Sequence, residues 1–584
     1  MPDNPQRPYL SDAINYDVDI APHQFVKIYA GVGSGKNTFI DNLAKGGIIK
    51  HADGSPVEKK YILLITSRRS KVNEQLNSDL VIYDPTIGMF DNSFSDWFAA
   101  YDERYADYFD SPTMTIVDPE GWGEQKIYKR TCVNTNAKIE YNLRQHFHPA
   151  DAATHPWERF DMIVVDEAHS LLADASYQRS PFYVRRLIEE TMKRSKTCKV
   201  IVMTGSPQIL SRYPIFNDAH CVDMMDTCKN VVPQRIEFIS KKDAVEKQLV
   251  MLKEEQHFVS FVNHIGDIFA IYQNKKIADH KNGIAYSFSD LVRRDNIKKQ
   301  DPAGYERMCQ AEEHLAKYQT LPDDIHAFYS TSKNKEGINI KNENFRTMFV
   351  EAHNELDVIQ MAGRLRNPIQ TLYVIVNSTP HTDSEDHNEK PFSKDTVVLD
   401  AINTHFRGLC HDNNIELDQP DCFRPVIHEV EPLGKFIEFI HNKFPYIRYD
   451  YFVDKFVYYE EREQSKEYYA EQRRIYDYAS YTSSGLVALA HSWFPTVPCT
   501  VSVKPKGDMA EEIQKYLTDG HWLDGERPIR GEERTEILNE LKRITGEPYK
   551  TLAPALKDWG YLLEVHGHKP SSLSTISVIP EGEK

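Results

Sequence analysis

Between Phe25 and Ile40 the chain reads FVKIYAGVGSGKNTFI, and no other stretch restricts its fold as much. The apolar run Phe25–Ala30 predicts a strand. The glycines after it let backbone amides curl round an anion with no Cβ in the way. A helix opens at Lys36, with its positive end turned to the same anion. Gly31, Gly33, Ser34, Gly35 and Lys36 therefore form a candidate phosphate cradle, with Lys36 as the point charge for β- and γ-phosphates. The loop departs from G-x-x-x-x-G-K-[ST] twice. Ala30 replaces the first glycine, and Asn37 stands where a Mg²⁺-binding hydroxyl belongs, with Thr38 next. Either the Asn37 carbonyl or the Thr38 hydroxyl would serve the metal.

Further short Val/Ile/Leu-rich runs follow, separated by helical stretches. Tyr61–Thr66, Met162–Asp166 and Lys199–Thr204 join the first strand. His257–Val262, Gly283–Phe288, Ile325–Tyr329, Thr347–Glu351 and Thr371–Asn377 form a second set. Such runs predict parallel sheets buried on both faces. The expected fold class is thus α/β, with two tandem parallel-sheet domains, then a mainly helical C-terminal region ending in a winged helix or another small module. At ~100–200 residues per domain, 584 residues allow about three to five domains. The expected boundaries are 1–232, 233–425, 426–508 and 509–584, with a polar loop at 377–394.

Composition narrows the function. With 70 Lys+Arg against 87 Asp+Glu, the net charge of −17 argues against a passive nucleic-acid coat. It leaves room for a narrow groove of backbone amides and a few basic residues. No run of roughly 18 apolar residues occurs, so no membrane-spanning helix is predicted. The N-terminal residues lack a secretory h-region. None of the eight cysteines forms a C-x-x-C pair, so neither zinc nor a disulfide framework is expected. His257, His264 and Cys410–His411 also lack a second ligand pair. The expected compartment is the cytoplasm of a bacterium or phage host, or the nucleus for a eukaryotic virus.

Residues Phe160–Ser170 read FDMIVVDEAHS. A buried strand here delivers Asp166 and Glu167 to its C-terminal end, the edge where open α/β sheets bind ligands. In the phosphoryl-transfer scheme, Asp166 holds Mg²⁺ and Glu167 orients and deprotonates water. The D-E-A-H string, about 130 residues after AGVGSGKN, resembles superfamily-two helicases of the DEAD/DEAH type. Other strings follow in family order from Phe25 to Asn367. Ile62–Gln75 is similar to motif Ia, TCVNTN at Thr131–Asn136 to a strand-contacting motif, and MTGSP at Met203–Pro207 to motif III. Phe258–His264 resembles motif IV, Tyr329–Ile340 motif V, and QMAGRLRN at Gln360–Asn367 motif VI. The TSRRS segment and the G-R-x-R form of motif VI are most similar to viral origin-binding helicases and their phage and mobile-element relatives.

The resemblance implies two tandem RecA-like parallel-sheet domains with ATP and Mg²⁺ between them. Arg364 and Arg366 would close on the γ-phosphate from the second domain, with Gln360 beside them. The family's second arginine falls on Asn367 here, so Arg366 is displaced by one place. Gly337 would allow close backbone approach to nucleotide or strand. His169, Thr204 and Ser206 would couple hydrolysis to strand binding. Arg68, Arg69, Lys71, Thr131, Asn134, His264 and Ser332 would contact nucleic acid, against the alternative of ordinary surface charge for the basic three. The expected activity is an ATP-dependent helicase or translocase on DNA. An RNA helicase and a nucleic-acid-gated ATPase switch are the alternatives.

The C-terminal third is less specific. Pro432–Tyr481 reads as helical and holds ten tyrosines, which either pack a domain or stack bases. Packing is favoured. Thr535–Thr545, Tyr549–Tyr561 and a hairpin from Leu562–Val565 with Thr575–Ile579 follow winged-helix order. Lys550, Thr551 and Lys557 would then face DNA, or the segment would dock replication or defence partner proteins.

Overall fold

The computed structural model describes residues 7–58, 60–67, 114–117, 124–127, 131–147, 149, 152, 155–158, 160–228, 232–288, 291–331, 339–352, 354–376, 395–417, 427–523, 527–566 and 573–579. The chain divides into two compact units. One comprises Met1–Arg235, Lys242–Ile375 and Thr379–Arg473; the other comprises Ile236–Lys241, Val376–Ser378 and Arg474–Lys584.

The first unit is built on two parallel sheets, the tandem α/β plan expected above. In the first sheet the strands are β1 (Phe25–Tyr29), β2 (Ile62–Thr66), β3 (Thr131–Thr135), β4 (Met162–Val165), β5 (Lys199–Thr204) and β6 (His220–Asp223), in the order β3-β2-β4-β5-β1-β6. Every residue of β2 and β4 is buried. Period-two alternation divides them between two cores. Leu63, Ile65, Ile163 and Val165 enter one; Ile62, Leu64, Met162 and Val164 enter the other. Register aligns Tyr29 with Thr204 and Val165 with Val202. The chain therefore leaves β1, β4 and β5 at one edge of the sheet, bringing the phosphate loop, Asp166 and Ser206 to a common side.

The strands of the second sheet that belong to this unit are β7 (Phe258–Phe261), β8 (Ile284–Ser287), β9 (Ala327–Ser330), β10 (Thr347–Val350) and β11 (Thr371–Val376), ordered β8-β9-β7-β10-β11. Their pairs are parallel. Helix α4 (Glu355–Ala362) follows β10, and Asn354 caps it by accepting from the Asp357 amide at 2.8 Å. Helices α1 (Lys36–Lys45), α2 (Asn136–His146) and α3 (Ser180–Arg194) belong to the first half.

Residues Thr396–Arg473 pack on the helices of the first sheet. Phe406, Ile437, Tyr449, Phe456, Tyr459 and Tyr468 share one core with Trp157, Phe182, Tyr183 and Leu187. Arg186 Nε donates to Asp450 Oδ2 at 2.6 Å, and Arg185 pairs with Glu461. The purely helical reading of Pro432–Tyr481 is corrected here. Helices Glu431–Lys443 and α5 (Glu461–Ala479) flank an antiparallel pair, Ile447–Asp450 with Lys455–Tyr458. The sequence IRYD…KFVY is rich in β-branched and aromatic residues, which fit a pleated surface. Asp450 Oδ1 accepts from the Phe452 amide at 3.0 Å and starts the turn, and Asp454 completes it with a φ of 49°. Tyr449, Tyr451, Tyr459 and Tyr468 are buried, so these four pack rather than stack bases.

In the second unit Ile236–Ser240 pairs in parallel with Cys499–Val501. Beyond them come α6 (Lys506–Asp519), a bridge from Ile529 to Ser574, α7 (Gly531–Thr545), α8 (Leu552–Lys557) and the hairpin Tyr561–His566 with Leu573–Val578. This is winged-helix order. Gly546, at a φ of 74°, ends α7. The expected helix at Tyr549–Tyr561 is shortened to α8, with Pro554 confined to its first turn, where a missing amide costs nothing. No described helix is long and apolar enough to cross a membrane. The expected loop at 377–394 lies outside the described residues.

Candidate functional site

The phosphate loop needs its glycines. Gly33 and Gly35 take φ values of 83° and 89°, a region that side chains resist, and Gly35 then opens α1. Lys36 is buried and donates from Nζ to the carbonyls of Ala30 at 3.2 Å and Gly31 at 3.4 Å, so its ammonium lies against the loop. Ser34 is fully buried, and its Oγ has no partner among the described residues. A glycine cradle, a lysine and an orphaned hydroxyl suit the oxygens of a phosphate. Asn37 is half-buried and Thr38 exposed, both in the first turn of α1. Upstream, the Leu10 amide donates to Ser34 O at 2.8 Å, and Tyr9 Cδ1 lies 3.1 Å from where a Cβ on Gly35 would stand. Nothing in the sequence pattern singles out that support.

At the end of β4 the chain turns sharply. Asp166 is buried, and its amide donates to Ile65 O at 2.9 Å. Glu167 then adopts a φ of 53°, left-handed backbone for a residue with a side chain. Such strain costs of order 1–3 kcal/mol and persists where the surroundings impose it. The next amide, Ala168, donates to Met203 O at 2.9 Å and ties the turn to β5. Asp166 with the Asn37 carbonyl is an all-oxygen donor set of the kind Mg²⁺ prefers.

A polar chain runs from this turn to the second sheet. His169, fully buried, lies with Nδ1 3.0 Å from Thr204 Oγ1 and 3.5 Å from Glu167 Oε2. Thr204 Oγ1 accepts from the Ser206 amide at 2.9 Å. Gln360 Nε2 donates to Ser206 Oγ at 3.3 Å, which crosses from one half to the other. Arg364, only 3% exposed, donates through Nε to Gln360 O at 2.9 Å and through a terminal nitrogen to Gln360 Oε1 at 3.0 Å. Five of the predicted residues thus join in one hydrogen-bonded chain, His169, Thr204, Ser206, Gln360 and Arg364, and Glu167 Oε2 lies 3.5 Å from its His169 end. Beside it, Gly363 packs on Val32 of the phosphate loop so tightly that an added Cβ would lie 2.6 Å from Val32 Cγ2. The glycine stands in the QMAGRLRN string, but only the fold reveals what it approaches.

The other predicted residues are more scattered. Arg366 Nε donates to the buried Asn339 Oδ1 at 2.6 Å, within the second half. Asn367 stands in the place of the family's second arginine. Its Nδ2 donates to Lys341 O and Asn342 O, both at 2.9 Å. His264 is exposed and precedes the helix Ile265–Tyr272. Thr131 and Asn134 lie on β3, paired with Ile62 and Ile65. Arg68, Arg69, Lys71, Ser332 and Gly337 lie outside the described residues.

No family model matches this chain. No curated protein matches it either. Among solved structures it is similar to the Escherichia coli DEAH/RHA helicase HrpB, at 15% identity and a TM-score of 0.36, over 62% of this chain and 41% of that one. It is similar to Mycobacterium smegmatis helicase Lhr bound to ssDNA and AMP-PNP, at 12% identity and a TM-score of 0.38, over 63% of this chain and 46% of that one. S. cerevisiae Dbp5 bound to RNA and ADP BeF3 matches at 11% identity and a TM-score of 0.34, over 71% and 89%. The chain thus spans less than half the length of the first two, and all three are distant likenesses.

Proposed function

We propose that this chain is a nucleic-acid-dependent ATPase of the superfamily-two helicase type, which moves along or unwinds DNA. The observation that carries this reading is the polar chain from Glu167 through His169, Thr204, Ser206 and Gln360 to Arg364. Glu167, read as the carboxylate that activates water, and Arg364, read as the guanidinium that neutralises charge, stand at its two ends, each supplied by a different half. Separation of the two halves breaks it at Gln360–Ser206.

In the proposed mechanism, Gly31–Lys36 hold the phosphates of ATP, and Lys36 neutralises their charge. Asp166 and the Asn37 carbonyl would hold Mg²⁺, which when bound offsets charge on the phosphate oxygens. Glu167 orients a water and takes its proton as the oxygen attacks the γ-phosphorus and the bond to the ADP oxygen breaks. Arg364 faces the developing negative charge, an effect worth roughly 10³–10⁵ in rate for arginine fingers. The buried His169–Thr204 contact joins this turn to Ser206, and a shift in either half therefore reaches the other. Strand contacts through the backbone suit a moving enzyme, because phosphate contacts carry no base information.

The test is ATP hydrolysis with single-stranded DNA, duplex DNA and RNA, followed by strand displacement on the best activator. DNA stimulation with displacement is the expected result. Stimulation by RNA alone would move the substrate to RNA, and stimulation with no displacement would favour a switch. No stimulation by any of them would refute the reading. For the metal, Asn37→Thr is expected to alter the Mg²⁺ dependence; an unchanged dependence would transfer the role to Thr38.

A further inference from the structure

Among the described residues the buried lysines and arginines are Lys36, Arg364 and Arg448. The first two stand at the candidate site and are read above as meeting the phosphates of ATP. Arg448 lies elsewhere, on the hairpin that shares a core with α2 and α3. It is 4% exposed, and no carboxylate pairs with it among the described residues. One terminal nitrogen donates to Ile447 O at 2.8 Å and Phe444 O at 3.4 Å, and the guanidinium carbon lies 5.3 Å from the centre of the Tyr459 ring. Burying a charge is costly unless an opposite charge is buried with it.

Arg448 belongs to a cluster. Its Nε, Arg144 Nε, Tyr183 OH and His428 Nδ1 are buried and have no hydrogen-bond partner among the described residues. They come from four elements: the hairpin, α2, α3 and the turn Ile427–Glu429. Arg144 lies 3.1 Å and His428 Nε2 3.8 Å from the same Glu438 oxygen. One turn before Arg144 on α2, Glu140 accepts from Arg179 Nε at 2.6 Å. Arg144, Arg179 and Arg448 all face Glu140, and Tyr183 is flanked by Glu140, Arg179 and Arg448. Three guanidinium groups thus meet two carboxylates. The imidazoles of His428 and His441 are held neutral beside them, first by burial and then by these arginines.

The donors select the occupant. Guanidinium nitrogens only donate, so the partner of Arg144 Nε and Arg448 Nε must accept. Water accepts but leaves the excess positive charge in place. A carboxylate offers two oxygens in one plane, whereas donors from four elements suit the oxygens of a tetrahedral anion. The Glu438 carboxylate marks the entrance. It is 51% exposed, so it can turn from Arg144 and His428 into water as an anion takes its place. We infer that Arg144, Tyr183, His428 and Arg448 bind a phosphate group, free or at the end of a small monoester, at a site distinct from the phosphate loop, and that the phosphate displaces Glu438. This does not rest on the ATP reading, because the loop can be disabled with the cluster intact.

The test is calorimetric titration and thermal melting of the full chain carrying Lys36→Ala, which disables the phosphate loop. The probes are inorganic phosphate, glycerol 3-phosphate, and potassium chloride at matched ionic strength. One of the two phosphates is expected to bind and to raise the melting temperature beyond the chloride control, because a ligand of the folded state stabilises it. The tighter of the two tells free phosphate from a monoester. Tyr183→Phe and Arg144→Gln should each weaken binding about ten-fold or more, the worth of a hydrogen bond to a charged group. The Tyr183 hydroxyl has no partner to lose, so without phosphate Tyr183→Phe should melt no lower than its parent, which separates lost binding from lost folding. Glu438→Gln removes the competing carboxylate and should tighten binding about two- to five-fold, an effect that a purely structural Glu438 would not give. If neither phosphate does more than chloride, the cluster holds water alone and the proposal fails. Parental affinity in both Tyr183→Phe and Arg144→Gln, or weaker binding in Glu438→Gln, would also overturn it.

Discussion

A single methyl group at Gly363 should hold the two halves of the site apart. The residue ends α4 with a φ of −66° and ψ of −7°, so alanine suits its backbone. Alanine even raises intrinsic helix propensity, by up to about 1 kcal/mol. The obstacle is Val32. A Cβ on Gly363 would overlap Cγ1 and lie 2.6 Å from Cγ2 and 2.7 Å from Cβ, inside any real carbon contact. Valine cannot swing away, because its branched Cβ leaves it stiff. Overpacking of this kind costs about 1–3 kcal/mol. At 1.4 kcal/mol per factor of ten, the closed arrangement becomes about five- to hundred-fold rarer. Gly363→Ala should therefore lower nucleic-acid-stimulated kcat/KM for ATP by that factor, with no loss of melting temperature. Adding Val32→Gly removes all three clashing atoms and should restore most of the activity. Full activity in Gly363→Ala, or no rescue in the double variant, would refute a closed arrangement built on this contact.

Three further outcomes follow from the packing. Glu461 is buried and pairs with half-buried Arg185, which also holds Glu189, so Arg185→Met alone strands the buried carboxylate and should cost about 3–5 kcal/mol in urea unfolding; adding Glu461→Leu should recover most of it, and an equal loss in single and double variants would contradict the pairing. Burial, aided by Arg144, pushes the His428 imidazole down to about 4, and burial with Arg448 holds His441 well below its usual range, where its Nε2 accepts from the Tyr449 amide at 3.0 Å. Both are neutral when folded, so their stability is full above the unfolded value of about 6.5 and is lost as pH falls from there through 4; the melting temperature should drop across that window, less steeply in His428→Gln, and equal slopes would be inconsistent with the assignment. Glu167→Gly relaxes the left-handed backbone, and is expected to raise stability by about 1 kcal/mol while abolishing hydrolysis; a loss of stability would mean the turn is not strained.

Much of the fold is legible in short sequences. Apolar runs such as Ile62–Thr66 and Lys199–Thr204 are long enough, and free enough of polar interruption, to read as buried parallel strands. The loop glycines and the D-E-A-H turn are legible because a sharp turn after a buried strand demands particular residue types, as the φ values of 83° and 89° at Gly33 and Gly35 show. What local pattern misses is long-range. The edge strand His220–Asp223 carries only one buried residue, so it lacks an apolar run. The Ile447–Tyr458 hairpin is hidden between two helices with similar aromatic content. The Gln360–Ser206 bond joins residues 154 positions apart, and the Val32–Gly363 packing joins two loops. Motif order implied that these residues share a site, and the fold supplies their partners.

The central claim is that one nucleotide is hydrolysed with help from both halves of the first unit. The most direct measurement is ATP binding and nucleic-acid-stimulated hydrolysis in parallel on Arg364→Ala. The variant should bind ATP close to wild-type strength and lose roughly 10³-fold or more in turnover. Turnover within a few-fold of wild type would place the chemistry on one sheet alone and contradict the account.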